Sequence, residues 1–239
     1  MSETARPRLW SLDVARTVML AAMASYHFTV DLEMAGLIGP TSMTPPWRLY
    51  AEVIAASFLL MAGASLWLAH GRGLRPRRAA LRIGQIALGA LAVSVATRIA
   101  IPQAWVFFGI LHVMAVGSLL ALPFLRAPAW ATALAGVAVW IAPRFVIWPA
   151  LDPWGMWTGL GAIIPRSVDF VPVFPWWGLM LLGLAAAQAL GRAGRMPAGR
   201  AGAPRWLRWL AWPGQHGLAV YLLHQPVLFG LVQAWVALR

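Results

Sequence analysis

The chain contains no cysteine, which excludes disulfides, thiolate metal ligands and cysteine nucleophiles but assigns no compartment. Charge is scarce as well. Charged residues make up 11% of the 239, where a soluble domain carries about a quarter. A soluble surface cannot be built from that inventory. Lysine is also absent, so all 19 basic residues are Arg, set against 7 acids. In a soluble protein the net charge of +12 would point to nucleic acid. Here the Arg residues lie in short segments between apolar stretches, the pattern by which a membrane protein fixes its orientation, and no nucleic-acid partner is expected. What the chain has in excess is apolar: 61% hydrophobic residues, 15 Trp and a mean hydropathy of +0.71. Trp gathers at membrane–water interfaces. The first apolar stretch opens with Asp13 and Arg16 and runs too long for a signal-peptide core, so no cleaved leader is expected. The lipid bilayer is the first partner the sequence specifies.

A helix needs roughly 20 mostly apolar residues to cross the hydrocarbon core. Seven stretches qualify, at 13–32, 48–69, 82–100, 105–123, 129–148, 172–190 and 213–236. Arg72, Arg75, Arg77, Arg78 and Arg82 cluster after the second stretch, and Arg192, Arg195, Arg200, Arg205 and Arg208 after the sixth. The positive-inside rule places both clusters in the cytoplasm. The N-terminus, with Arg6 and Arg8, then lies inside, and only Arg48, Arg98, Arg144, Arg166 and Arg239 fall on the far side. The expected fold is an all-α bundle of about seven spans, residues 1–239 forming one transmembrane domain. Segment 149–171 combines Pro149, Pro153, Pro165, Gly155, Gly159 and Gly161 with Trp154 and Trp157. Continuous helix is not expected there. It should rest on the outer interface or dip back into the protein.

Ionisable groups at membrane depth are costly and mark function. The first span carries Asp13, Arg16, His27 and Asp31. At about 100° per residue these fall near one stripe, spread over roughly 27 Å of axis, with Leu20 and Met23 between Arg16 and His27. Capping and anchoring account for Asp13 and Arg16. They do not account for a histidine most of the way across, one turn from a carboxylate. Two further histidines are embedded, His112 and His224; either alone reads more simply as a satisfied core residue. No two histidines share a helix at ligand spacing, so no metal site is expected. Trp176 and Trp177 at the outer mouth read as interfacial belt residues, with stacking on a sugar face as the alternative.

Several segments together resemble a known family. They are Leu12-Asp13-Val14-Ala15-Arg16, Tyr26-His27-Phe28, Phe58 to Leu66, Phe108-Gly109-Ile110-Leu111-His112, Phe174-Pro175-Trp176-Trp177-Gly178 and Tyr221-Leu222-Leu223-His224-Gln225-Pro226. In that order they resemble the bacterial relatives of heparan-α-glucosaminide N-acetyltransferase, within the transmembrane acyltransferase superfamily. Thr17 departs from the pattern, since the family has Gly after the Arg. The resemblance implies a bacterial inner-membrane enzyme moving an acetyl group from cytoplasmic acetyl-CoA to a hydroxyl or amine of a glycan outside. It implies His27 as base or nucleophile, oriented by Asp31, with Arg16 beside them. Asp13, Arg75, Arg77 and Arg78 would serve the donor's side, His112 and His224 the oxyanion or the tunnel wall, and Trp176 the sugar. The competing expectations are a non-catalytic subunit of a larger membrane complex and a small-solute transporter. Against the transporter, no inverted repeat is visible. Homodimers and larger assemblies are both compatible with the sequence.

Overall fold

The computed structural model describes residues 9–196 and 202–238; Arg6, Arg8, Arg200 and Arg239 lie outside them. The regular structure is helical: α1 (Trp10–Met34), α2 (Pro45–His70), α3 (Pro76–Ala100), α4 (Ile110–Ala121), α5 (Ala129–Ile141), α6 (Val173–Arg192), α7 (Arg205–Gln215) and α8 (Gly217–Ala237). Among the described residues there is no strand, only an isolated bridge between Phe108 and Phe170. Proline marks the starts. Pro76 opens α3, and Pro128, Pro172 and Pro204 immediately precede α5, α6 and α7, where its fixed φ fits and a missing N–H costs nothing. Gly36 (φ +70°) follows the end of α1, with the Leu37 N–H returning to the Leu32 carbonyl at 2.9 Å, a left-handed stop that glycine adopts without strain.

Each of the seven expected stretches holds a helix, but residues 105–109 of the fourth and 145–148 of the fifth are not helical. Four of the helices, α2, α3, α6 and α8, are long and apolar enough to cross a bilayer. The 25-residue α1 has the length, but Asp13, Arg16, His27, Asp31 and Glu33 dilute its apolar content. With 12 and 13 residues, α4 and α5 rise only about 18–20 Å, short of the roughly 30 Å of hydrocarbon. The expected start of the last span at residue 213 is corrected: Pro213 lies inside α7, the chain breaks at His216, and α8 begins at Gly217. Residues 142–172 contain three short 3-10 turns and otherwise irregular backbone, as their proline content dictates.

The described residues divide into two compact units, 9–58 together with 202–238, and Leu59–Met196. In the first, α1 packs on α7 and α8. Contacts step along α1 and α8 in one order. Thr17 meets Gly214 just before α8, Leu20 and Met23 pack with Val220 and Tyr221, and Asp31 meets Gln225. The two helices therefore run in the same direction. Beyond α1, the Glu33 carboxylate accepts the Ser42 backbone N–H and hydroxyl, tying the following turn to the helix end.

The second unit is centred on α6. Leu181 and Leu184 are buried with Ala121, Leu125 and Val139. Glycine lets backbones approach: a Cβ on Gly183 would lie 2.0 Å from the Leu60 carbonyl oxygen, and one on Gly178 2.5 Å from that of Gly136. Small residues at such crossings are how helices pack where the solvent is itself apolar. Gln188, fully buried, donates to the Phe124 carbonyl at 2.7 Å and fixes the turn between α4 and α5.

Candidate active site

The stripe expected on α1 lies on its more buried side, with Arg16 and His27 half-buried. Asp13, Leu20, Met23 and Asp31 are all buried. At its first end the Arg16 guanidinium lies 3.2 Å from the Asp13 carboxylate. Thr17, the residue that departs from the resemblance, donates its hydroxyl to the Asp13 carbonyl and accepts the Gly214 N–H at 2.9 Å. A Cβ on Gly214 would lie 1.9 Å from the Asp13 carbonyl oxygen. Threonine thus supplies a dock for α7 that a glycine there would lack.

At the other end Asp31 is wholly buried and accepts a hydrogen bond of 2.8 Å from the Gln225 amide. The hydrogen-bond partner of the Asp31 carboxylate is thus an amide on α8. The His27 ring instead lies against two rings, with centroids 5.1 Å from His224 and 5.7 Å from Tyr26. His224 Nδ1 is within hydrogen-bonding distance of the Tyr221 carbonyl. A carbonyl only accepts, so Nδ1 carries the proton and Nε2 presents a lone pair. In that tautomer His224 has no donor for an oxyanion; it can accept a hydrogen bond or a proton.

Three buried atoms of this neighbourhood have no hydrogen-bond partner: Asp31 Oδ2, His224 Nε2 and Gln225 Oε1. Buried polar atoms are nearly always partnered, and unpartnered ones concentrate where a ligand or catalysis supplies the missing group. Sequence reasoning missed Gln225. It stood inside the quoted Tyr221–Pro226 segment, and a neutral amide in an apolar span is the feature that points to it.

His112 belongs to the second unit and is differently placed. Its Nδ1 accepts the Gly109 N–H at 3.1 Å, so Nε2 carries the proton and donates to the Ser94 hydroxyl at 3.1 Å; Ser94 donates in turn to the Val106 carbonyl. Both ring nitrogens are used within the chain, the arrangement of a structural histidine. The Asp169 carboxylate accepts the Ile110 N–H at 3.0 Å, a negative group at the N-terminus of α4, where the helix dipole favours one. Burial raises the Asp169 carboxyl to about 6, against the opposing effect of the Ile110 hydrogen bond.

Arg75, Arg77 and Arg78 lie at the start of α3, the last two exposed, and the Arg75 N–H meets His70 Nδ1. Trp176 sits half-exposed near the start of α6, while the neighbouring Trp177 donates to the Gly117 carbonyl. The structure thus brings His27, Asp31 and His224 together, with Asp13 and Arg16 on the same helix. Among the described residues no group of three His, Asp or Glu side chains is arranged to hold a metal ion.

A family model described as heparan-alpha-glucosaminide N-acetyltransferase, catalytic, matches residues 8–226. The chain belongs to that family. The match opens just before α1 and closes just after Gln225, enclosing the whole cluster. No curated protein and no solved structure matches the chain. Membership in this N-acetyltransferase family, with four apolar helices of spanning length, makes the protein an integral membrane protein of acetyltransferase-like function. The family's donor is acetyl-CoA.

Proposed function

We propose that the chain, acting as one functional domain, transfers an acetyl group from cytoplasmic acetyl-CoA to an amine of a glycan on the far side of a bacterial cytoplasmic membrane. One observation carries the reading. Each of the three buried unpartnered atoms beside His27 is an acceptor: a carboxylate oxygen, an imidazole lone pair and an amide oxygen. An ammonium group has three N–H donors and no lone pair, whereas a hydroxyl has one donor and adds acceptors of its own. The cluster therefore favours an amine.

The chemistry follows from the tautomers. The ammonium sheds a proton to become nucleophilic, and its nitrogen attacks the thioester carbonyl carbon. The C–N bond forms, the C–S bond breaks and the nitrogen loses a second proton. One proton leaves on the sulfur of CoA, the other by way of histidine to solvent. His27 is the base and His224 Nε2 its neighbouring acceptor. Asp31, held by Gln225, supplies negative charge for the ammonium. Arg16 offers a guanidinium group suited to phosphate, and Arg75, Arg77 and Arg78 offer the same chemistry on the second unit. Asp13 holds Arg16, and Trp176 offers an aromatic face for the sugar.

The parallel course of α1 and α8 supports an odd number of crossings, because both must enter from the same side. Seven spans satisfy this. Five do too, if the short pair α4 and α5 enters and leaves by one face. Seven with a cytoplasmic N-terminus also accommodate the Arg clusters.

The test is transfer by the purified protein from labelled acetyl-CoA to paired oligosaccharides that differ only in a free amine or a hydroxyl. N-acetylated product, with acetyl-CoA raising the thermal midpoint of the protein, is the expected result. Equal transfer to the hydroxyl oligosaccharide removes the amine preference. Neither transfer nor protection by acetyl-CoA would assign the chain to a non-catalytic membrane subunit.

A further inference from the structure

Helix α7 has three faces. Leu207, Ala211 and Gly214, spaced i, i+4, i+7, face the protein; Ala211 and Gly214 are buried, and Gly214 docks on Thr17. Trp206, Trp209, Leu210 and Pro213, spaced i, i+3, i+4, i+7, form a second stripe about 100° around. In it Trp206 is 67% and Trp209 70% exposed. Arg205, Arg208, Trp212 and Gln215 make the third, with both Arg exposed. A helix with one face on its own protein needs no second apolar stripe to fold. An apolar sector beside a basic one, with Trp near the boundary, is the composition of a helix lying in a membrane interface. Position agrees, since His216 alone separates α7 from α8, a helix of spanning length. The chain therefore reaches α7 where α8 enters the bilayer.

We propose that α7 is an interfacial helix whose Trp206–Trp209–Leu210 stripe lies in the acyl boundary and whose Arg205 and Arg208 bind anionic lipid headgroups. The occupant is a lipid surface because the exposed apolar and basic sectors adjoin, matching acyl chain and headgroup, and because the following helix enters that surface. The inference rests on the membrane reading alone and is independent of acetyl transfer.

The test uses the full-length protein in nanodiscs of phosphatidylcholine, alone or with phosphatidylglycerol. Anionic lipid should raise the thermal midpoint, and Arg205→Gln with Arg208→Gln should remove at least half of that rise while leaving the phosphatidylcholine midpoint in place. A rise that is absent, or unchanged in the double variant, overturns the headgroup assignment. Depth is read separately, with nitroxide labels on Trp209→Cys and Arg205→Cys in the cysteine-free background. The label at 209 should be relaxed mainly by oxygen and the one at 205 mainly by an aqueous nickel chelate. Equal access of the chelate to both overturns the interfacial placement. Disulfide capture of two copies through position 209 in nanodiscs would give the stripe to a second copy, and overturns it as well.

Discussion

At the scale of single residues, the cluster around His27 separates groups that act on a substrate from groups that hold them. His27→Ala should leave a folded, membrane-inserted protein, checked by size exclusion and thermal midpoint. It should lower kcat by the roughly 10²–10⁴-fold that a positioned base contributes. Near wild-type kcat in that variant would reject His27 as the base. His112→Ala affects stability first, because it strips partners from Gly109 and Ser94. Gln225→Leu removes the one hydrogen bond that the Asp31 carboxylate accepts. A buried acceptor left unsatisfied costs about 1–3 kcal/mol, and combining Gln225→Leu with Asp31→Leu should recover much of that loss. Denaturant or thermal unfolding in detergent, read as a double-mutant cycle, decides this; independent, additive losses would reject the pair. The α1 stripe was legible because helical periodicity and the cost of charge in lipid act within one segment. Gln225 was not, since its meaning depends on Asp31, 194 positions earlier, and periodicity carries no information about partners that remote.

At the scale of elements, positions with no room for an atom set the packing. Gly214→Ala would drive a methyl group into the Asp13 carbonyl, and overpacking of this kind costs roughly 1–3 kcal/mol. The midpoint should fall by several degrees, whereas Gly217→Ala, which meets open space, should have little effect; equal midpoints for the two would contradict the dock. Helix α4 supplies a pH dependence through Asp169. Its folded value of about 6 stands above the ordinary 3.8, so the folded protein holds this proton more tightly than the unfolded chain. That contribution to stability is fully present below about pH 4 and is lost as pH rises through about 6. Asp169→Asn keeps an acceptor for Ile110 but cannot ionise, and should flatten the stability profile across that window in detergent. An identical slope in both proteins would assign the titration elsewhere. The helices themselves were readable from apolar length and proline. The break at His216 was not: Trp212, Pro213 and Gly214 read equally well as the start of a span, and only the dock on α1 ends one helix there.

At the scale of the whole molecule, the proposed orientation is open to a direct test because no native cysteine competes. Cysteines at Arg72 and Gly202 should resist a membrane-impermeant thiol reagent in intact cells, and one at exposed Ala150 should react. Labelling at Gly202 would reverse the orientation. The pairing of α1 with α8 also orders events in time. Asp31 is made 194 residues before Gln225, which at about 5–20 residues per second is roughly 10–40 s of synthesis. Through that interval the first helix carries a carboxylate whose amide does not yet exist. Completion of α8 supplies that amide. A cellular surveillance system that extracts chains with unmatched polar groups in the bilayer would therefore read a stalled or truncated product as unfinished, whatever the state of the helices between.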